Sequence, residues 1–218
     1  QAKSFRDNPI LGNKILNRMG LHVVRLITSH SIFKFRQMLL SNMANKADKK
    51  QFDEQGFLVK ENVLSDEQFE QLLNEIKDYK EDTRECIQGD TLTHRILLDQ
   101  DKLDTLPECK NLVNDKPLID TLKWCGGKNS YPIFYIQWIR NQYTKGGADP
   151  QKNLHIDSFQ PAIKCWYFLE DVGLEKGPFN YIPGSHKLNW RRIKWEYRQS
   201  CNAGHLGDSY AERGSLRP

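Results

Sequence analysis

The residues with the plainest capacity for chemistry are His155 and Asp157, two positions apart in Asn153-Leu154-His155-Ile156-Asp157. Read as a strand, this spacing turns both side chains to the same side of the backbone. An imidazole nitrogen and a carboxylate oxygen then stand next to each other. They are two of the three donors in the 2-His-1-carboxylate facial set. That set holds non-haem iron(II) and leaves positions open for a co-substrate and oxygen. A His-x-Asp doublet also occurs by chance, and its other reading is a polar pair at a strand edge.

The remaining histidines offer little by spacing. His22 and His30 fall in a helical stretch, where surface or packing roles are expected. His94 sits in a strand without a carboxylate at ligand spacing. His186 closes a Pro-Gly-Ser-His turn and is expected to hydrogen-bond the local backbone. His205 follows fifty residues after His155 in a polar, Gly-rich stretch. The five cysteines are scattered and odd in number, with no C-x-x-C pair. This excludes a disulfide framework or zinc knuckle as a sequence reading, and each Cys is expected as a small buried apolar residue in a reducing compartment.

The elements that must position the pair come next. Residues 8–40 read as helical, with Leu11, Ile15, Met19, Val23 and Leu26 marking one apolar face. Asn45 to Lys50 reads as a linker. Gly56-Phe57-Leu58-Val59 reads as a strand, and Ser65 with Gln68 forms a capping box opening a helix from 66 to about 80. Thr91 to Leu98 reads as a strand, 116–125 as a helix ended by Gly126-Gly127, and Tyr131 to Arg140 as a long strand. The Gly-rich loop 144–150 delivers the chain into the His155 strand. Ala162 to Leu169 and the start of Gly177 to His186 read as further strands, and Leu188 to Ser200 as a helix. Helices followed by several short strands suggest an α+β chain: an antiparallel sheet sandwich, or jelly roll, with N-terminal helices.

Charge divides the chain. Residues 1–50 carry ten Lys/Arg against two Asp, and the remainder twenty-two against twenty-six Asp/Glu. The expected organisation is a basic helical extension over residues 1–50 and a main domain over 51–218. No basic, aromatic-interleaved stripe marks the main domain, so nucleic acid is not an expected partner. The extension is expected either to pack on the domain or a second subunit, or to lie on an anionic membrane surface. No secretory signal or long apolar run is visible, and a cytoplasmic location is expected. The chain begins with Gln1, so a natural start upstream is expected.

Three runs carry a resemblance: Asp149 through His155-Ile156-Asp157 to Phe159; Lys164-Cys165-Trp166-Tyr167-Phe168-Leu169-Glu170-Asp171-Val172; and Gly177-Pro178-Phe179-Asn180-Tyr181-Ile182-Pro183-Gly184-Ser185-His186-Lys187-Leu188. With the Gly56–Val59 and Ser65–Gln68 segments, they resemble the phytanoyl-CoA dioxygenase family, from about residue 50 onward. The resemblance implies a double-stranded β-helix that binds Fe(II) and 2-oxoglutarate and uses O2. His155 and Asp157 match two metal ligands. Trp166 matches an aromatic position lining the co-substrate pocket, and Gln137 lies where relatives place a polar co-substrate contact. Lys164 is a weaker candidate. The implied reaction couples oxidative decarboxylation of 2-oxoglutarate to hydroxylation of a substrate C–H bond. Halogenating relatives replace the carboxylate ligand by Gly or Ala, so Asp157 points to hydroxylation.

One departure qualifies the resemblance. The family's third ligand, a late-strand His, and the Arg that pairs bidentately with 2-oxoglutarate have no clear match here. Both, together with the distal strands, are expected beyond Pro218, and the 218-residue chain is expected to be inactive by itself. The alternative is His205 as third ligand with Arg213 or Arg217 on the carboxylate. A non-catalytic jelly-roll binding or scaffold module is the competing reading from a different class. A cupin-like metalloenzyme that uses no 2-oxoglutarate is the third. The expected partner is a small or lipid-like molecule whose identity the sequence does not give.

Overall fold

A computed structural model describes residues 8–147, 149 and 152–203. Two helices open it, α1 (Lys14–Arg18) and α2 (Leu21–Leu39). Asn13 caps α1 by accepting from the N–H groups of Ile15 and Leu16. Gly20 lies between them at φ 102°, a left-handed conformation that breaks the expected continuous helix. The break also rephases the apolar stripe. Leu26 is fully buried, whereas Ile15 and Met19 point to solvent. A 3-10 turn (Ser41–Met43) leads to α3 (Lys46–Gln55). The expected linker at 45–50 is therefore helix, because the Asn45 side chain caps it by accepting from Asp48 N–H.

Helix α4 (Asp66–Lys77) begins with the expected capping box, in which Ser65 and Gln68 exchange side-chain and backbone bonds. Two strands follow, β1 (Arg84–Gln88) and β2 (Thr91–Leu97), then α5 (Gln100–Thr105), α6 (Pro107–Val113) and α7 (Lys116–Gly126). Strand β3 (Tyr135–Arg140), a 3-10 turn (Leu174–Lys176) and helix α8 (Trp190–Ala203) follow. Asn189 starts α8 by accepting from Arg192 N–H at 2.9 Å.

The described residues form a mixed α and β structure with one small antiparallel sheet, ordered β1-β2-β3. Glu85 faces His94 across β1 and β2, and Ile96 faces Ile136 across β2 and β3. Ile96 and Ile136 join Leu72, Ile76, Leu103, Leu106, Cys109 and Val113 in the main core beneath α4, α5 and α6. A second cluster joins Phe52 of α3 to Trp124 and Cys125 of α7, with Phe33 of α2 against it. A third is built by Leu26 and Phe159, with Ile156, Leu188, Ile193 and Trp195 around them.

Several expected strands are absent among the described residues. Residues 56–59, 153–157, 162–169 and 177–182 take no strand pairing. A β-prone sequence becomes a strand only when a neighbour satisfies its ladder, and no partner is supplied to these segments. Three strands are described, against the larger set a jelly roll requires.

Candidate functional site

The loop bearing His155 is held from both ends. Upstream, the Gly89-Asp90 turn between β1 and β2 grips the chain that delivers it. Asp90 accepts from Lys152 Nζ at 2.7 and 2.6 Å and from Asp149 N–H at 3.0 Å, while its carbonyl accepts from Tyr143 N–H at 2.8 Å. The hydrogen bond from Lys152 holds the Asp90 carboxyl below the usual carboxylate range. Gly89 lies at φ 55°, and a Cβ there would meet the Asp149 backbone nitrogen at 2.6 Å. This grip is missing from the sequence reading; its local signal is the Gly-Asp turn pair, but the partner lies some sixty positions away.

Downstream, Phe159 is buried in the third cluster. Its ring stands edge-on to His22 at 5.0 Å, and the Arg25 guanidinium lies 4.8 Å from its centroid. The Phe159 backbone also bonds His30. All three partners are on α2. Ile156 packs into the same cluster, so the residue between His155 and Asp157 is the one directed inward. The same-side relation of the pair therefore survives although the segment is not a strand.

His155 Nδ1 lies 2.6 Å from the Asn153 carbonyl oxygen. A carbonyl can only accept, so Nδ1 carries the proton and donates it. The lone pair of the neutral ring is then on Nε2, the tautomer that ligates metal. Nε2 lies 3.4 Å from Asp157 Oδ1. Two cis donors on one first-row metal, each at about 2.1 Å, lie about 3 Å apart. The pair therefore fits a shared ion in donor type, tautomer and spacing. Lys164 Nζ pairs with Oδ2, the other carboxylate oxygen. Among the described residues no group of three or more His, Cys, Asp or Glu side chains is placed to hold a metal. His205, Arg213 and Arg217 lie outside the described residues.

The two co-substrate candidates have other partners. Gln137 Oε1 accepts from Arg95 Nε at 2.7 Å across the sheet, in register with it. Its face of β3 also carries Tyr135 and Ile139, both about half exposed, so the core helices lie on the opposite face. Trp166 stacks on Phe179 at 4.5 Å and keeps much of its surface in solvent.

Three other sequence expectations change, and the packing role expected of His22 gains an ion pair. His94 has a carboxylate after all, Glu85 on the neighbouring strand, with Nε2 2.9 Å from Oε2. His186 reaches the backbone of Asp53 at the end of α3 rather than its own turn. There it meets Gly56, and Gly184 N–H bonds the Gln55 carbonyl at 2.8 Å. His22 is a buried partner of Glu196, Nε2 to Oε2 2.9 Å, and Arg192 clasps the other carboxylate oxygen. Of the cysteines, Cys109 and Cys125 are buried with thiols pushed up to about 12 by burial, but Cys86 and Cys165 are exposed.

The family model described as Phytanoyl-CoA dioxygenase (PhyH) matches residues 52–213. No curated protein and no solved structure matches the chain.

Proposed function

The chain belongs to the phytanoyl-CoA dioxygenase family, and on that premise we propose that it is a non-haem iron(II)- and 2-oxoglutarate-dependent dioxygenase. It hydroxylates a C–H bond of a small or lipid-like substrate. The observation that carries this reading is the His155–Asp157 pair, with its tautomer fixed by Asn153 and its donors 3.4 Å apart inside the matched segment. When bound, the metal with 2-oxoglutarate and O2 supplies the oxidising chemistry. The chain supplies orientation. The Asn153 carbonyl presents Nε2, Lys164 holds Oδ2, and Ile156 and Phe159 anchor the loop.

Gln137 and Trp166 are proposed as co-substrate contacts. Support comes from the uncovered sheet face around Gln137 and from the half-exposed Trp166–Phe179 stack. The third ligand and the carboxylate-binding Arg are proposed to come from outside the described residues. Within this sequence the alternative is His205 as the third ligand, with Arg213 or Arg217 on the carboxylate. The fold is proposed to be a double-stranded β-helix, and the exposed Ile163, Phe168 and Phe179 support this as surface on which further strands can pack. The free thiols support a reducing compartment, the cytoplasm.

The test is succinate formation from 2-oxoglutarate under iron(II) and O2, in the natural full-length protein and in the 218-residue chain. Turnover abolished by both His155→Ala and Asp157→Ala supports the reading. Iron-independent behaviour, or variants matching wild type, would identify a binding module that has only the fold. Oxygen uptake without 2-oxoglutarate would identify a different metalloenzyme class.

A further inference from the structure

Helix α2 carries apolar residues on both its inward and its outward face. Its inward face buries His22, Leu26 and Gln37, two of them polar. Its outward face carries Val24, Ile27, Phe35, Met38 and Leu39, each between 44 and 63% exposed. At 100° per residue these five fall within about a third of the helix circumference. The stripe continues onto a groove of about 540 Å³ between α2 and α8, lined by Met19, Val24, Ile27, Trp190 and Tyr197 among others. Met19 is 80% exposed and Trp190 76%. Thr28 and Ser31 also fall in this arc, but five exposed apolar side chains with a groove beside them are more than the scattered single residues of an ordinary surface.

Charge says what covers it. Helices α1, α2 and α8 carry two, three and four Lys/Arg respectively and a single acid, Glu196. That acid is fully buried on His22 and Arg192. The exposed charges of these three helices are therefore all basic, with Lys14 and Arg18 on α1 and Arg191, Lys194 and Arg198 on α8, while Lys34 of α2 is paired with Asp53 of α3 at the Met38 end of the stripe. Apolar side chains with an exposed Trp, bordered by long basic side chains, match the boundary between acyl chains and anionic headgroups. No helix among the described residues is long and apolar enough to cross a membrane, so the contact is peripheral.

We infer that α1, the outer face of α2 and α8 form a docking surface for an anionic phospholipid bilayer. The inference stands apart from the metal reading, because the surface lies on the side of α2 opposite Leu26, where Phe159 and the His155 loop pack. The test is co-sedimentation of the full chain with phosphatidylcholine vesicles, with and without about one third phosphatidylserine. Binding at least about tenfold stronger to the anionic vesicles is expected, and it should weaken as salt shortens the Debye length. The triple variant Arg191→Glu/Lys194→Glu/Arg198→Glu and the apolar variant Val24→Ser/Ile27→Ser/Phe35→Ser should each lose about tenfold or more. All six positions are solvent-facing, and an unchanged melting temperature verifies that the variants are folded. Equal sedimentation with both vesicle types, or variants that bind like wild type, would overturn the inference. So would a dimer seen by light scattering that the apolar variant dissociates, since a second copy would then be the occupant.

Discussion

Phe159 tests whether α2 positions the His155 loop. Replacing it by Ala removes a ring that is 5% exposed and sits among Leu26, His22 and the Arg25 guanidinium. Burial of a Phe side chain contributes about 1.5–3 kcal/mol. The vacated space adds about 24 cal/mol per Å³ wherever the surroundings fail to collapse. Loss of the Arg25 contact adds about 0.5–1 kcal/mol. Together these give about 4 kcal/mol, inside the range of about 3–5 for buried Phe→Ala. For a chain of this size, about 2–4 °C of melting temperature accompanies each kcal/mol, so a fall of about 12 °C is expected by calorimetry. Val24→Ala, on the exposed side of the same helix, should shift it by less than about 2 °C. A Phe159→Ala fall under about 3 °C would refute the reasoning, because the loop would then not depend on the third cluster.

Three further perturbations follow from local geometry. Gly56 ends α3 at φ 88°, and a Cβ there would meet His186 Nδ1 at 2.3 Å and the Tyr181 hydroxyl at 2.6 Å. Gly56→Ala should therefore cost about 2 kcal/mol or more, read as a lower urea midpoint at unchanged slope. Ser65→Ala removes half of the capping box on α4 and should cost about 1 kcal/mol in the same assay. Acidification should destabilise the fold through His30 and His186. Burial holds both below the ordinary imidazole value, with Arg192 adding to the effect at His30 and Lys34 and Lys187 at His186. The unfolded chain therefore binds protons first. Stability is complete above about pH 6.5 and falls as pH drops from there toward the folded values. Melting curves across that window should move down with acid and flatten in His30→Gln/His186→Gln; a rise with acid would contradict the sign.

What the sequence disclosed is what local chemistry decides. Ser65 and Gln68 announce the start of α4, Gly127 marks the end of α7 in the left-handed region, and the aromatic and β-branched run announces β3. The closeness of His155 and Asp157 was legible because it needs only two residues and the backbone between them. Strand pairing was less legible. Strand β1 is exposed throughout and has no alternation to betray it, while Ala162 to Leu169 has the composition of a strand without a ladder partner among the described residues. Long-range contacts were silent for the same reason. Nothing near Asp90 signals that it holds Lys152, and nothing near His22 signals Glu196, 174 positions away. The outward apolar face of α2 was hidden because apolar residues occupy both of its sides, so periodicity alone did not say which faces the core.

The most direct measurement is anaerobic iron(II) titration of the full-length protein by calorimetry, alongside His155→Ala and Asp157→Ala. If the two side chains ligate one ion, wild type binds a single equivalent and each variant loses at least about 100-fold in affinity, more than loss of an outer hydrogen bond costs. Lys164→Ala, which touches only Oδ2, should lose less than either, within about 10–100-fold. Iron binding of equal strength in wild type and in both ligand variants would contradict the assignment of His155 and Asp157 as the metal's ligands.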